Sequence, residues 1–169
     1  TFCGTRSPPI PILSTVSAPD GYGLDPRYKA VGYAIRRAGS ACLAGDQRSC
    51  KNIQSAALSW AHQFSLESPS GAPNTSRFWN DTLTINMRLL NPLISALAVA
   101  DSLRPMLSED KKFVNAWLKE MIQNFEHGMR SAGRYPGGKY GTFAQKSAHN
   151  HAVQSSLASM SYGAWIGED

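Results

Sequence analysis

From Pro26 onward the apolar positions recur every three or four residues, and no segment of any length alternates as a strand does. The chain therefore predicts an all-α protein of successive helices. Asp25 followed by Pro26 has the form of an N-cap with proline at the first helical position, predicting a first helix from about Pro26 to Ala41. A second helix starts near Asp46, carries Ile53, Ala56, Ala57, Trp60, Ala61 and Phe64 on one side, and ends before Pro69. The third helical segment, residues 77–103, is apolar nearly all round, as a helix surrounded by neighbours is, and Pro92 should kink or break it. Ser108 reads as the cap of a fourth helix with Glu109 and Asp110 in its first turn. That helix has a broad apolar face through Phe113, Val114, Trp117, Leu118, Met121, Ile122 and Phe125, and Gly133 stops it. A last helix starts near Ser147. His149, Val153, Leu157, Met160 and Ala164 fall on one of its faces, and His151, Ser155, Ala158 and Tyr162 on another.

Residues 1–25 are rich in Pro, Gly and Ser and read as an extended arm, whose Ile10, Ile12, Leu13 and Val16 can pack along the helical body formed by residues 26–169. A chain of 169 residues, 42% hydrophobic, suits one domain with its own core. With 17 Lys and Arg against 12 Asp and Glu, the net charge of +5 suits either an anionic partner (acidic polysaccharide, nucleic acid or lipid headgroup) or a merely basic surface. The basic residues are scattered, with no run of the kind that forms a nucleic-acid tail. No run of apolar residues is long enough to span a bilayer, so no membrane partner is expected.

Cys42 and Cys50 flank a polar turn and can close a small disulfide loop, which would suit an oxidising compartment and a secreted or periplasmic location. Cys3 is left odd, either free or paired outside the chain. No cysteine pair has zinc-site spacing, and neither metal nor cofactor is expected. Asn74-Thr75-Ser76 and Asn80-Asp81-Thr82 have the form of glycosylation sequons.

Three stretches carry candidate chemistry. The first is Lys146-Ser147-Ala148-His149-Asn150-His151, at the expected start of the last helix. Backbone N–H groups there lack intrahelical partners and carry partial positive charge, so an Asn and a His in that place can meet an anion. His149 and His151 are two residues apart, about 200° on the helical wheel, and do not point at one metal. The second is the loop from Arg134 to Gly141, whose Arg134, Tyr135, Lys139 and Tyr140 mix base and aromatic among glycines, as either a lid over substrate or a connector. The third is a polar stripe, Asn80, Thr84, Arg88, Asn91 and Ser95, along the apolar third segment, either the wall of a cleft or a solvated edge.

In order and content, residues 40 to 169 resemble the alginate lyase domain of polysaccharide lyase family 5. The matching pieces are the Trp-Ala helix Leu58-Ser59-Trp60-Ala61, the Asn86-Met87-Arg88 of a buried helix, the amphipathic Asn115-Ala116-Trp117-Leu118, and the Asn-His turn, His149-Asn150-His151 here against Asn-Asn-His in the family. The resemblance implies antiparallel helical hairpins forming part of an incomplete (α/α) toroid, and β-elimination on an anionic, uronate-containing polysaccharide, mannuronate-rich by default. Asn150 matches the residue that neutralises the uronate carboxylate and His151 the base. A helix N-terminus biases a histidine toward its neutral form, as a base requires. Arg88 becomes a carboxylate or scaffold partner, with His149, Lys139, Tyr140, Arg134 and Asn80 as further substrate-binding candidates.

Two departures shape the expectation. His149 stands where the family has Asn. The family's catalytic Tyr lies downstream on a later helix, and Tyr162, on the same helix as His151, is roughly 16 Å from it along the axis. The chain is thus expected to be the N-terminal portion of a longer lyase, its acid supplied by a C-terminal remainder or a second chain. Tyr135 and Tyr140 would serve only if their loop folds over the site. The letters His-Asn-His also name a metal-dependent nuclease class, but that class needs a ββα site and no strand precedes this helix, so nucleic acid is not expected as a partner. A non-catalytic helical module binding acidic polysaccharide or a partner protein is the rival reading.

Overall fold

The computed structural model describes residues 10–11, 26–63, 89–132 and 157–167. These are α-helical apart from short turns, with no strand among the described residues, so the protein is all-α. The helices are α1 (Pro26–Leu43), α2 (Gln47–Gln63), α3 (Asn91–Leu103), α4 (Ser108–Ala132) and α5 (157–166).

Residue 46 belongs to two helix ends at once. At the end of α1, Gly45 takes φ +96°, a left-handed conformation that a residue with a Cβ adopts only under strain. The Gly45 N–H donates to the Cys42 carbonyl at 2.8 Å and the Asp46 N–H to the Ala41 carbonyl at 3.0 Å, the paired bonds of a Schellman termination. Asp46 then caps α2. Its carbonyl accepts the first helical bond, from the Cys50 N–H at 3.2 Å. Its Oδ1 accepts from the Arg48 N–H at 3.1 Å and its Oδ2 from the Ser49 hydroxyl at 2.5 Å. Cys42 and Cys50, one on each side of this turn and both fully buried, are joined by a disulfide with Cα atoms 4.8 Å apart. Turn, cap and disulfide together fold α1 and α2 into a hairpin whose two helices pack on each other.

Both helices of that hairpin pack against α3. Leu89, Leu90, Leu93, Ile94 and Leu97 are all fully buried, as expected of a segment apolar nearly all round. Pro92 does mark a change of winding. Leu89 and Leu90 form a wide π-type turn and the α-helix proper starts at Asn91, so the proline occupies its first turn, where proline is best tolerated. The approach of α1 to α3 is close: a Cβ on Gly39 would sit 3.3 Å from the Ala96 Cβ.

The connection 104–107 leads into α4, which packs on α2. One contact between them is a stack of the His62 and Phe113 rings, with centroids 4.3 Å apart. Ser108 is not the cap of this helix but its first residue. The Leu107 carbonyl already accepts the Lys111 N–H at 2.9 Å, which moves the start one position upstream. The core runs from Ile35 and Ile53 through Trp60 and the α3 leucines to Leu118, Met121 and Trp165, and Ile10 of the N-terminal segment joins it. Ile12, Leu13 and Val16 lie outside the described residues.

Candidate functional site

Of the residues singled out for chemistry, Asn80, Arg88, Arg134, Lys139, Tyr140, His149, Asn150 and His151, together with Thr84 and Tyr135, lie outside the described residues. The described residues resume with α5, six positions after His151 in the chain.

α5 is held by a polar network as well as by packing. Of its two expected faces, the one with Ala158 and Tyr162 turns inward, with Trp165 beside it. Ala158 is 2% and Trp165 4% exposed, whereas Leu157 (45%) and Met160 (70%) face out. The buried indole of Trp165 donates from Nε1 to the Asn115 side-chain oxygen. The Tyr162 hydroxyl donates to the Asn115 backbone carbonyl at 3.3 Å. The Lys111 ammonium lies 4.7 Å from the centre of a Trp165 ring and donates to Asp101 Oδ2 at 2.6 Å. The other oxygen of Asp101 accepts the Met106 N–H at 2.8 Å, fixing the connection between α3 and α4. Gln54 adds a tie from α2, donating to the Arg104 carbonyl at 2.5 Å. α3, α4 and α5 thus meet in one charge-assisted set of bonds, and the Tyr162 phenol is part of that joint.

At the polar stripe of the third segment, Ser95 is exposed and its hydroxyl donates to the Asn91 carbonyl at 3.0 Å, whereas Asn91 itself is half-buried. Asn80, Thr84 and Arg88, at its other end, are not described.

The described residues also bring together charges that look scattered along the chain. Lys29, Tyr33, Arg36 and Arg37 are exposed and fall at i, i+4, i+7 and i+8, within an arc of about 80–100° on α1. Val31, Ile35, Ala38 and Cys42 are buried on the opposite side. α1 contains no acidic residue. On α2, Arg48 and Lys51 are also exposed, and α2 contains no acid either. The one acid between Pro26 and Gln63 is Asp46, whose carboxylate is engaged at the cap. The Ser49 hydroxyl, and behind it the Arg48 and Ser49 N–H groups and the Arg48 charge, hold the Asp46 carboxyl below the usual aspartate range against a smaller opposing effect of desolvation. Among the described residues, none of Lys29, Arg36, Arg37, Arg48 and Lys51 pairs with a carboxylate within 4.0 Å. Placing residues 26–44 on a helical wheel, rather than scanning for a run of bases, would have exposed this face from the sequence.

Among the described residues no cluster of three or more His, Cys, Asp or Glu is placed to hold a metal ion, and no helix is long and apolar enough to cross a membrane. No protein-family model matches the chain, and no curated protein or solved structure matches it significantly.

Proposed function

We propose that the chain is the helical body of a lyase that cleaves a uronate-containing polysaccharide by β-elimination. The observation that carries this reading is the His149-Asn150-His151 stretch, a few residues upstream of a helical C-terminal segment, in a chain that also carries the Trp-Ala, Asn-Met-Arg and Asn-Ala-Trp-Leu pieces in the same order as the alginate lyases it resembles. The all-α architecture, with a helical hairpin packed on a buried third helix, is compatible with the helical toroid of that family. The buried disulfide is compatible with a secreted or periplasmic location.

In the reaction, Asn150 donates a hydrogen bond to the uronate carboxylate, which stabilises negative charge developing at C5. His151 takes the C5 proton. The C5–H electron pair becomes the C4–C5 double bond, the C4–O4 bond breaks, and the departing O4 is protonated by an acid. Arg88 pairs with a carboxylate of the same polymer. His149, Lys139, Tyr140, Arg134 and Asn80 contact further sugars. Tyr162 is a poor choice for the acid because its hydroxyl already serves the joint between α4 and α5. The candidates that remain for the proton donor are Tyr135, Tyr140 or a residue of a second polypeptide.

The test is the ultraviolet absorbance of the unsaturated uronate product, with mannuronate-rich and guluronate-rich alginate as substrates, for the wild type and for His151→Ala and Asn150→Ala. Product formation that both substitutions abolish supports the reading. Formation that survives His151→Ala overturns the role of the base. A second reading, a non-catalytic module that binds acidic polysaccharide, is favoured by the unopposed basic faces of α1 and α2. Polysaccharide binding without product, alone or with a co-purifying chain, selects it.

A further inference from the structure

We infer that the outward face of α1, carrying Lys29, Tyr33, Arg36 and Arg37, is a docking track for an extended acidic polysaccharide. The inference takes the chemical identity of the polyanion from the function proposed above, but the track itself rests on the structure.

α1 cannot turn these side chains inward. Its opposite side is occupied by Val31, Ile35, Ala38 and Cys42, all at most 1% exposed, and its last turn is tied to α2 by the disulfide. The three cations therefore sit on a fixed, solvated line. They have no acid on their own helix, and no carboxylate partner among the described residues. Cations so placed repel one another and are relieved by a multivalent anion that releases its counterions. From Lys29 to Arg37 the helix rises about 12 Å, long enough for successive charges of a polymer and too long for one small anion. Tyr33, 52% exposed, lies inside the line. An aromatic ring flanked by cations offers an apolar plate to the C–H face of a sugar while the bases take its carboxylates.

Nucleic acid satisfies the same electrostatics and also stacks on tyrosine. The buried Cys42–Cys50 disulfide favours the glycan, since such bonds persist in oxidising compartments, where acidic polysaccharide rather than nucleic acid is the abundant polyanion.

The test uses the full chain and three probes: a long polymannuronate, the neutral glucan dextran, and duplex DNA of matched charge. The variant is Arg36→Glu with Arg37→Glu, and a control, Lys112→Glu with Lys119→Glu, makes the same change in net charge on exposed positions of α4. Circular dichroism and melting verify each fold, and Arg36→Gln with Arg37→Gln replaces any charge reversal that fails to fold.

The expected result is salt-sensitive binding of polymannuronate and none of dextran, weakened about tenfold or more by the α1 variant and by no more than about twofold by the control. Wild-type affinity in the α1 variant, an equal loss in the control, or tighter binding of DNA than of polymannuronate overturns the inference. Binding is measured in the His151→Ala background as well, so the two proposals fail separately. Absent elimination with α1-dependent binding removes the catalytic reading and keeps the track. Elimination on short oligomers with unaltered polymer binding in the α1 variant does the reverse.

Discussion

Trp165 and Asn115 are fifty residues apart in the chain and joined by a hydrogen bond from indole to side-chain amide. The indole is 4% exposed, so its N–H has no ready replacement for that partner in water. Trp165→Phe keeps most of the ring and loses the donor. It leaves the Asn115 oxygen to find another bond, at a cost of about 1 kcal/mol. Trp165→Ala also loses the buried ring and its stacking with the Lys111 ammonium, and should cost about 3–5 kcal/mol. Urea unfolding of the two variants separates these contributions. Equal losses would mean that the bond, not the ring, docks α5.

Gly39 lies where α1 and α3 come closest. A methyl there meets the Ala96 Cβ at 3.3 Å, close enough that one helix must yield by a few tenths of an ångström. Alanine gains about 1 kcal/mol of helix propensity over glycine. Gly39→Ala is therefore expected to lie near neutrality, the gain offset by the contact. Gly39→Leu has no such room and should cost about 3 kcal/mol. Ala96→Gly should recover part of the leucine penalty but none of the alanine effect on propensity, a pattern that a double-mutant cycle in thermal unfolding reads directly.

The Cys42–Cys50 bond spans a sequence separation of 8, and both sulfurs are inaccessible to solvent. Closing so short a loop restricts the unfolded chain modestly. Replacing both residues by Ala should cost about 2–3 kcal/mol, before any cost of the smaller side chains. Cys42→Ala alone leaves a buried thiol without its bond and should cost at least as much as the double replacement. A reductant should move the melting temperature of the wild type and leave that of the double variant in place.

How much of this was legible follows from which forces are local. Asp25-Pro26, Asp46 and the apolar face of α4 announce helices because caps and amphipathic spacing act within one or two turns. The pairing of Cys42 with Cys50 needed only a turn between them. Ser108 misled because Leu107, with no side-chain cap to offer, still supplies the first carbonyl. Which side of α5 packs was not legible, since both faces carry apolar residues and the choice depends on Asn115 and Lys111 on another helix. The basic face of α1 escaped notice because Lys29, Arg36 and Arg37 are separated in the chain and adjoin only on the helix. The His149-Asn150-His151 stretch and its proposed partners stand on sequence alone.

Asp46 supplies a pH dependence of known sign. Its folded carboxyl titrates below the ordinary aspartate range, chiefly because the Ser49 hydroxyl bonds the ionised form. A group whose pKa is depressed on folding stabilises the fold above its unfolded value, near about 3.9, and that stability is lost as pH falls through the lower folded value. Asp46→Asn keeps a capping oxygen and removes the titration. The melting temperatures of wild type and Asp46→Asn should therefore differ in a pH-independent way above the unfolded value and converge below it. A constant difference across that range would show that the cap works without its charge.

Tyr162 provides the sharpest separation of structure from chemistry. Its hydroxyl donates to a backbone carbonyl on α4, and its ring packs against the core as part of the surface that seats α5. A proton donor to a departing sugar oxygen must exchange that bond for one to substrate, and would be expected near an open cleft rather than at a helix joint. Tyr162→Phe should thus lower stability by about 1 kcal/mol through the lost bond and leave any elimination activity within about twofold. Of Tyr135→Phe and Tyr140→Phe, whichever removes the donor should lose turnover by about two orders of magnitude or more with little change in polymer affinity. If neither loses turnover while Tyr162→Phe does, the acid is at the joint and α5 must shift during the reaction. If none of the three does and the chain is active only with a second polypeptide, the donor arrives from that polypeptide.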